Sequence, residues 1–464
     1  MPVFMMLIVG TVPIVGLVPH IQAQLGSRMN HQPNIVRKRV IRLTVGVVLI
    51  ATLVYLFIQF VSGARSADPG DFQSAGFIAA TQEVGDGEQV VLIDPKGEIV
   101  KSPGYSDDAT DQPPVWSPDG QRLFFASDRE NEESHLFRWN PARQLVERRS
   151  VDKRAKSWIY FDDEPTNPKP TLMMGASGTV MIVEPRVPYS RQIMPPRGKS
   201  EGSSSGESGA TGVFEQTYSG IGTSVKMARW SADRSYILAV MRRDDGEILV
   251  AQKTFKDDHP VDPTDTWKVD VTKPPTLVIA GDRVDFDINK KTGKVVYACQ
   301  NFKFPDPAMI PPEMKQNGRV MLPFRHVLGI FSPGDGGMYE VSPTAQNFIA
   351  VTEDDKFCFA VPVLSPDGSQ VVCQMGDYRG AGVVQVHNLV LMPVEVGGGQ
   401  QSRTLVSDPV IDVSWHPNGQ SILFSADANG ERSIFSIKTD KTELKNLTKG
   451  KGNFRGAVWS PATK

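Results

Sequence analysis

"VWSPDGQRLFFASDR", residues 115–129, decides the fold. In Ser117-Pro118-Asp119-Gly120, proline presets the first corner of a tight turn. Aspartate can hydrogen-bond its own backbone, and glycine accepts the left-handed conformation that closes the turn. A short apolar run enters and "LFF" leaves, which is the pattern of a β-hairpin. One hairpin buries too little surface to stand alone, so its recurrence carries the argument. The phrase returns as "VLSPDGSQVVCQ" at 363, "SWHPNGQSILFSAD" at 414 and "AVWSP" at 457.

The turn positions fall at Pro118, Ala232, Asn289, Pro366, Pro417 and Pro461. From 232 onward they are 57, 77, 51 and 44 residues apart, which suits a four-stranded propeller blade of about 40 to 45 residues plus insertions. The interval from 118 to 232 is twice as long, and "SWIYFDDEPTNPKPTLMMGASGTVMIVEP" (157–185) supplies a degenerate blade inside it. "GFIAATQ", "EQVVLID" and "GEIVKS" (76–102) read as three strands without a turn phrase, and "FRGAVWSP" near the other end supplies one strand with its turn. Pairing that strand with the first three closes a ring and removes the exposed sheet edges. The expectation is an all-β chain: a β-propeller of four-stranded blades, seven or alternatively six, closed by the C-terminal strand and preceded by a transmembrane helix.

These phrases, together with "NLTKGKGNFRGAVWSP" (446–461), resemble the WD40-like repeat of TolB-type propellers. The resemblance spans roughly residues 72–464, is carried by three repeats, and implies the fold. It leaves function open, because propellers host unrelated activities. Two departures are visible: seven blades where the periplasmic TolB propeller has six, and an apolar span where TolB has an amino-terminal domain.

That span is "LTVGVVLIATLVYLFIQFV", residues 43–61, without a charge. It matches the roughly 20 apolar residues that cross a bilayer as a helix. Arg37, Lys38, Arg39 and Arg42 precede it, and no acid occurs before Asp68. The positive-inside bias puts the N-terminus in the cytoplasm and the propeller in the periplasm or outside the cell, anchored by a single pass in the inner or plasma membrane. The resulting organisation is a doubtful extension or first apolar segment (1–28), a basic cytoplasmic segment (29–42), the transmembrane helix (43–61), a linker (62–74) and a TolB-like propeller (75–464). Translation could start at Met1 or Met29. A cleaved signal peptide is the rival reading of the span, but its length exceeds the usual apolar region of roughly 7 to 15 residues.

The first 67 residues hold six of the 50 basic residues and none of the 52 acidic ones, so the remainder carries a net charge of −8. A nucleic-acid or anionic-membrane surface would want the opposite sign, so both are demoted as partners, and no nucleic acid is expected. Three cysteines are too few and odd in number for a disulfide framework. The letters "GSSSG" (202–206) match a hydrolase nucleophile elbow, but they lie in a Gly/Ser-rich loop without flanking strand or helix. His135, His259, His326, His387 and His416 show no ligand spacing, so no metal site, cofactor or catalytic residue is assigned. His416 replaces the serine of its turn phrase and is the candidate for a channel mouth. Trp116, Trp230, Trp415 and Trp459 precede turns and read as packing between blades.

The segment that departs most from a bare scaffold is "NFKFPDPAMIPPEMKQNGRVMLPFRH" (301–326). Its prolines forbid regular strand, while Phe302, Phe304, Met309, Ile310, Met314 and Met321 supply apolar surface that either folds back or binds a partner. These six are the candidate partner-binding residues. The function expected is non-catalytic: scaffolding or protein–protein interaction at the cell envelope, with a protein partner at or near the membrane and the bilayer engaged through one helix. The alternatives are a propeller hydrolase or lyase acting on envelope or extracellular polymers, and an accessory subunit of a membrane complex.

Overall fold

A computed structural model describes residues 76–103, 109–130, 133–150, 156–162, 171–176, 178–183, 190–194, 224–256, 267–270, 275–304, 312, 315–316, 319–320, 325–331, 349–354, 357–395 and 398–461. The proposed transmembrane helix and everything else before residue 76 lie outside these. Among the described residues no helix is long and apolar enough to cross a membrane.

The described strands form seven antiparallel blades and one separate two-stranded hairpin. The innermost strands, blade by blade, are Phe454–Trp459, Val115–Trp116, Lys156–Asp162, Ser224–Trp230, Arg283–Ile288, Phe357–Leu364 and Val410–Trp415. Blade 1 is composite. Its inner strand comes from the end of the chain and pairs with Ile78–Val84, Ile78 opposite Trp459 and Gln82 opposite Phe454. The degenerate stretch at 157–185 supplies three strands of blade 3 and Ser190–Met194 the fourth, so the ring has seven blades rather than six. Blade 4 departs from four strands. Its third strand, Gly246–Lys256, is long enough to pair with Thr276–Gly281 and also, at its far end, with Trp267–Val269.

The core lies between blades. Alternate residues of a strand point to opposite faces, and both faces of every blade are covered by a neighbour. Ile78 and Ala80 pack toward blade 7 with Leu423 and Ile434, whereas Ala79 packs toward blade 2 with Trp116, Leu123 and Phe125. Val371 and Cys373 face blade 5, while Val372 between them faces blade 7. Burial on both faces is why the second and third strands read as unbroken apolar runs. Each aliphatic side chain so buried contributes about 1.5–3 kcal/mol.

The recurrent phrase closes the hairpin between the first and second strands of a blade. Ser117 Oγ donates to Asp119 Oδ1 at 2.5 Å, Gln121 N donates to the same oxygen at 3.0 Å, and Gly120 takes φ of 67°. Ser365, Asp367 and Gly368 repeat the arrangement. In blade 4 the left-handed position is filled by Arg234, at φ of 58°. Neighbouring inner strands and turns interlock. Trp415 Nε1 donates to Val363 O at 3.0 Å, Trp116 Nε1 to Val458 O at 3.4 Å, and Asn289 Nδ2 to Ser365 O at 2.9 Å. Trp116 and Trp415 therefore hydrogen-bond across blade boundaries.

Candidate functional site

The inner strands surround an axial cavity of about 400 Å³, whose lining comes from blades 1, 2, 3, 6 and 7. Pro113, Val115, Trp158, Val361, Ile411 and Val458 give it an apolar wall, and Asp412 is the one titratable side chain among its lining residues. Asp412 is already engaged, because its carboxylate accepts the N–H of Gly456 in blade 1 at 2.7 Å. Any ligand here would meet mostly aliphatic groups, with the Trp158 indole and the Gln112 amide beside them.

Two positions on the wall have unusual backbone. Val361 and Gly456 stand three residues before the end of their strands, each at a register irregularity, with φ of 47° and 63°. Glycine adopts that conformation freely; a β-branched residue does so only under strain. Pro362 follows and pushes its predecessor toward extended backbone, which adds to the strain. The N–H of Val361 is held by Asp285 Oδ2 of blade 5 at 3.3 Å. Asp285 in turn takes Lys226 Nζ and Arg283 Nε, both at 2.8 Å, and Lys226 also binds Glu247 at 2.8 Å. Burial pushes the Asp285 carboxyl up, but the Lys226 and Arg283 charges and the hydrogen bonds more than offset this and hold it below the usual carboxylate range. Asp287 accepts Leu364 N at 2.9 Å; there burial prevails, and its carboxyl is raised. Burial likewise lowers the Arg229 guanidinium, which lies 4.0 Å over the Tyr160 ring.

His416 stands at the turn end of the blade 7 inner strand. Its Nδ1 accepts the N–H of Asn418 at 3.1 Å, and its ring meets Trp459 edge-on at 4.6 Å. The structure thus gives His416 local partners in its own turn and in that of blade 1. Among the described residues no group of three His, Cys, Asp or Glu side chains is placed to hold a metal ion.

The 301–326 segment joins the second and third strands of blade 5 and leaves on a closed stem. Phe302 N donates to Arg325 O at 2.9 Å, and Asn301 N to His326 Nδ1 at 3.3 Å. Two of the six candidate partner-binding residues have places within the propeller. Phe302, at 9% exposure, belongs to the core between blades 4 and 5; Phe304 packs beside it, the rings 5.1 Å apart and edge to face. Two aromatic rings at the foot of a loop find a hydrophobic seam within reach and fill it. Met309, Ile310, Met314 and Met321 lie outside the described residues. The expectation that prolines forbid regular strand is corrected in one place: Lys315–Gln316 pairs with Arg319–Val320 between Pro312 and Pro323, where the backbone amides needed for pairing are present.

The sequence reading missed a long hairpin in blade 6, Gln370–Gly380 with Val383–Pro393, that leans on the same stem. Tyr378 donates to Asp282, the Tyr378 and His326 rings lie 5.0 Å apart, and Gly382 abuts the Asp282 carbonyl. Asp282 also accepts Lys303 Nζ at 2.9 Å and Asn301 Nδ2 at 3.1 Å. Although burial alone would raise the Asp282 carboxyl, these bonds lower it. Burial and the Asp282 charge push the Tyr378 phenol up to about 12. The available signal was "GDYRGAGVVQVH", whose glycine-rich tip lies far beyond the repeat phrase.

Fold and cavity together define a seven-bladed β-propeller with an apolar axis. No family model and no curated protein matches the chain. Solved structures do resemble it. TolB from Acinetobacter baumannii is 12% identical over 83% of this chain and 66% of its own length, with a TM-score of 0.42. An oligogalacturonate lyase in complex with manganese is 10% identical over 81% of this chain and 86% of its own, with a TM-score of 0.44. The β-propeller domain of the Trilobed protease from Pyrococcus furiosus is 12% identical over 74% of this chain and 86% of its own, with a TM-score of 0.41. At this identity the likeness concerns the fold alone. The chain spans just under two thirds of the length of that TolB.

Proposed function

We propose that the protein is a membrane-anchored binding module, whose propeller stands outside the cytoplasm and presents the blade 5 and 6 loops to a protein partner. The observation that carries this reading is the pinned excursion: a long segment held on a closed stem and buttressed by the blade 6 hairpin. Both project where second strands turn into third strands, which in an antiparallel blade is one end of the disc. A rigid stem lowers the ordering cost of binding by whatever it presents, and an anchor raises the partner's local concentration. The aliphatic axis, with its one carboxylate already engaged, suits recognition better than acid–base chemistry.

The test is mild detergent extraction of the tagged full chain from native membranes, lysine crosslinking and mass spectrometry. A stoichiometric partner joined to Lys303 or Lys315 is expected. Recovery of the chain alone would defeat the reading and bring a screen of envelope polymers to the front. Protease treatment of intact and permeabilised cells checks the orientation, since the propeller is expected to be cut without permeabilising the inner or plasma membrane.

A further inference from the structure

Of the seven exposed large apolar residues among the described ones, Phe255, Val383 and Ile411 are scattered, but four gather on one stretch of rim. Ile99 and Val100 (44% exposed) belong to the outer strand of blade 1, Leu145 (47%) to that of blade 2, and Leu444 (57%) adjoins that of blade 7. The three blades are consecutive, and their outer parts touch. Lys101 Nζ donates to Pro141 O at 3.0 Å, Lys451 Nζ to Gly97 O at 2.6 Å, and Gly97 lies so close to the Leu447 carbonyl that a Cβ would collide with it.

Charge is distributed in the same way. Segments 94–101, 141–145 and 438–451, which form this rim, hold eight basic and four acidic residues, in a chain whose net charge is −2. The acids are locally engaged. Asp94 accepts the N–H groups of Lys96 and Glu98, Glu98 pairs with Lys451 at 3.0 Å, Asp440 accepts from Thr442, and Glu443 binds Lys438 and Lys445. Lys96, Arg143, Lys441 and Lys449 remain exposed. Apolar tips among lysines are what an anionic lipid surface takes up: headgroups meet the ammonium groups while aliphatic side chains enter the interface.

The end of the described chain lies here as well. Gly76 sits against Pro95, in the turn that leads to Ile99. Fourteen residues separate it from position 61, where the uncharged apolar span ends; fully extended they reach about 50 Å. We propose that the rim of blades 7, 1 and 2 lies on the surface of an anionic bilayer. The inference rests on the anchored reading for the nearness of the bilayer, and on the rim residues for the contact itself. It also qualifies the negative charge of the domain: the unfavourable sign lies elsewhere on the propeller.

The test places single labels on the full chain as Ile99→Cys, Leu444→Cys and, as a control on blade 4, Phe255→Cys. Cys299, Cys358 and Cys373 are buried, and burial raises their thiols (Cys358 to about 11), so the dye goes to the introduced cysteine. Each labelled chain is reconstituted in nanodiscs whose lipids carry headgroup spin labels. Quenching at 99 and 444 but not at 255 is expected, stronger in phosphatidylglycerol than in phosphatidylcholine. It should weaken when Lys96, Lys441 and Lys445 are changed to Glu; each lysine near such a surface contributes about 1 kcal/mol, close to a fivefold change in association. Equal quenching at all three sites, or none while the chain is in the disc, overturns the proposal and leaves the anchor standing. A chain that does not enter the disc removes the anchor instead. The rim is then tested by adding the same chain to preformed phosphatidylglycerol vesicles, where quenching at 99 and 444 supports it and none overturns it.

Discussion

Blades 5 and 6 meet at the axis much as blades 7 and 1 do, yet the two junctions are built differently. In each, an aspartate three residues before the end of one inner strand accepts an N–H from the equivalent residue of the next. Asp412 reaches Gly456 at 2.7 Å, and nothing else charged takes part in that bond. Asp285 reaches Val361 at 3.3 Å and is itself held by Lys226 and Arg283, with Glu247 sharing the lysine. Where glycine supplies the left-handed bulge, a single hydrogen bond suffices. Where valine supplies it, a charged network surrounds the junction. The same geometry can thus be held by freedom of the backbone or by force from its surroundings.

The largest effect should come from breaking the network. Lys226→Met leaves Glu247 without its close cation and Asp285 with Arg283 alone, and a loss of about 3 kcal/mol is expected in urea unfolding followed by tryptophan fluorescence. A near-neutral result would remove electrostatics from the account of the 5–6 junction. Replacing Lys226, Glu247 and Asp285 together by apolar residues should recover part of the loss, since the desolvation of all three is then avoided.

Next comes the glycine. Gly456→Val forces φ of 63° on a β-branched residue and places its Cβ 2.4 Å from that of Pro113. A loss of about 2–3 kcal/mol is expected in the same assay. The reciprocal change, Val361→Gly, should sharpen the comparison by stabilising the protein by about 1 kcal/mol at most, as relieved strain exceeds the entropy glycine adds to the unfolded chain. Destabilisation by Val361→Gly would mean that the valine side chain is held for its contacts at the cavity wall.

The smallest effect lies in the turns beyond these strands. Asp367 in blade 6 has its carboxyl lowered to about 2 by Ser365 and Ser369, whereas the equivalent residue of blade 7 is Asn418, which does not titrate. A carboxyl depressed on folding contributes stability that is present above its unfolded value, near 3.8, and is lost as pH falls through about 2. Asp367→Asn should therefore lower thermal stability slightly at pH 7 and flatten its dependence between pH 4 and pH 2 relative to wild type. An unchanged acid profile would show that the turn holds without the charge.

The turn phrase was legible because its chemistry is local: proline, aspartate and glycine each act within four residues. Ring closure was legible because three strands at one end and one at the other leave complementary edges. The repeat at 157–185 could be read only as degenerate, since its three strands lack the phrase. Phe302 illustrates what pattern alone could not decide, because an apolar residue in a proline-rich loop reads identically whether it fills a core seam or awaits a partner. The junction aspartates were invisible for a similar reason: Asp285 and Asp412 resemble any polar residue alternating along a strand.

The sequence by itself determined an all-β chain of repeating hairpins, where their turns fall, and a cysteine content too small for a disulfide framework. Those follow from interactions between residues a few positions apart. Only the tertiary structure decided that Val361 and Gly456 share one position, that His416 rests on Trp459, and that Ile99, Leu145 and Leu444 lie on one rim. Such groupings depend on how blades set side by side in space, and residues more than 300 positions apart carry no local sign of the neighbour they will meet.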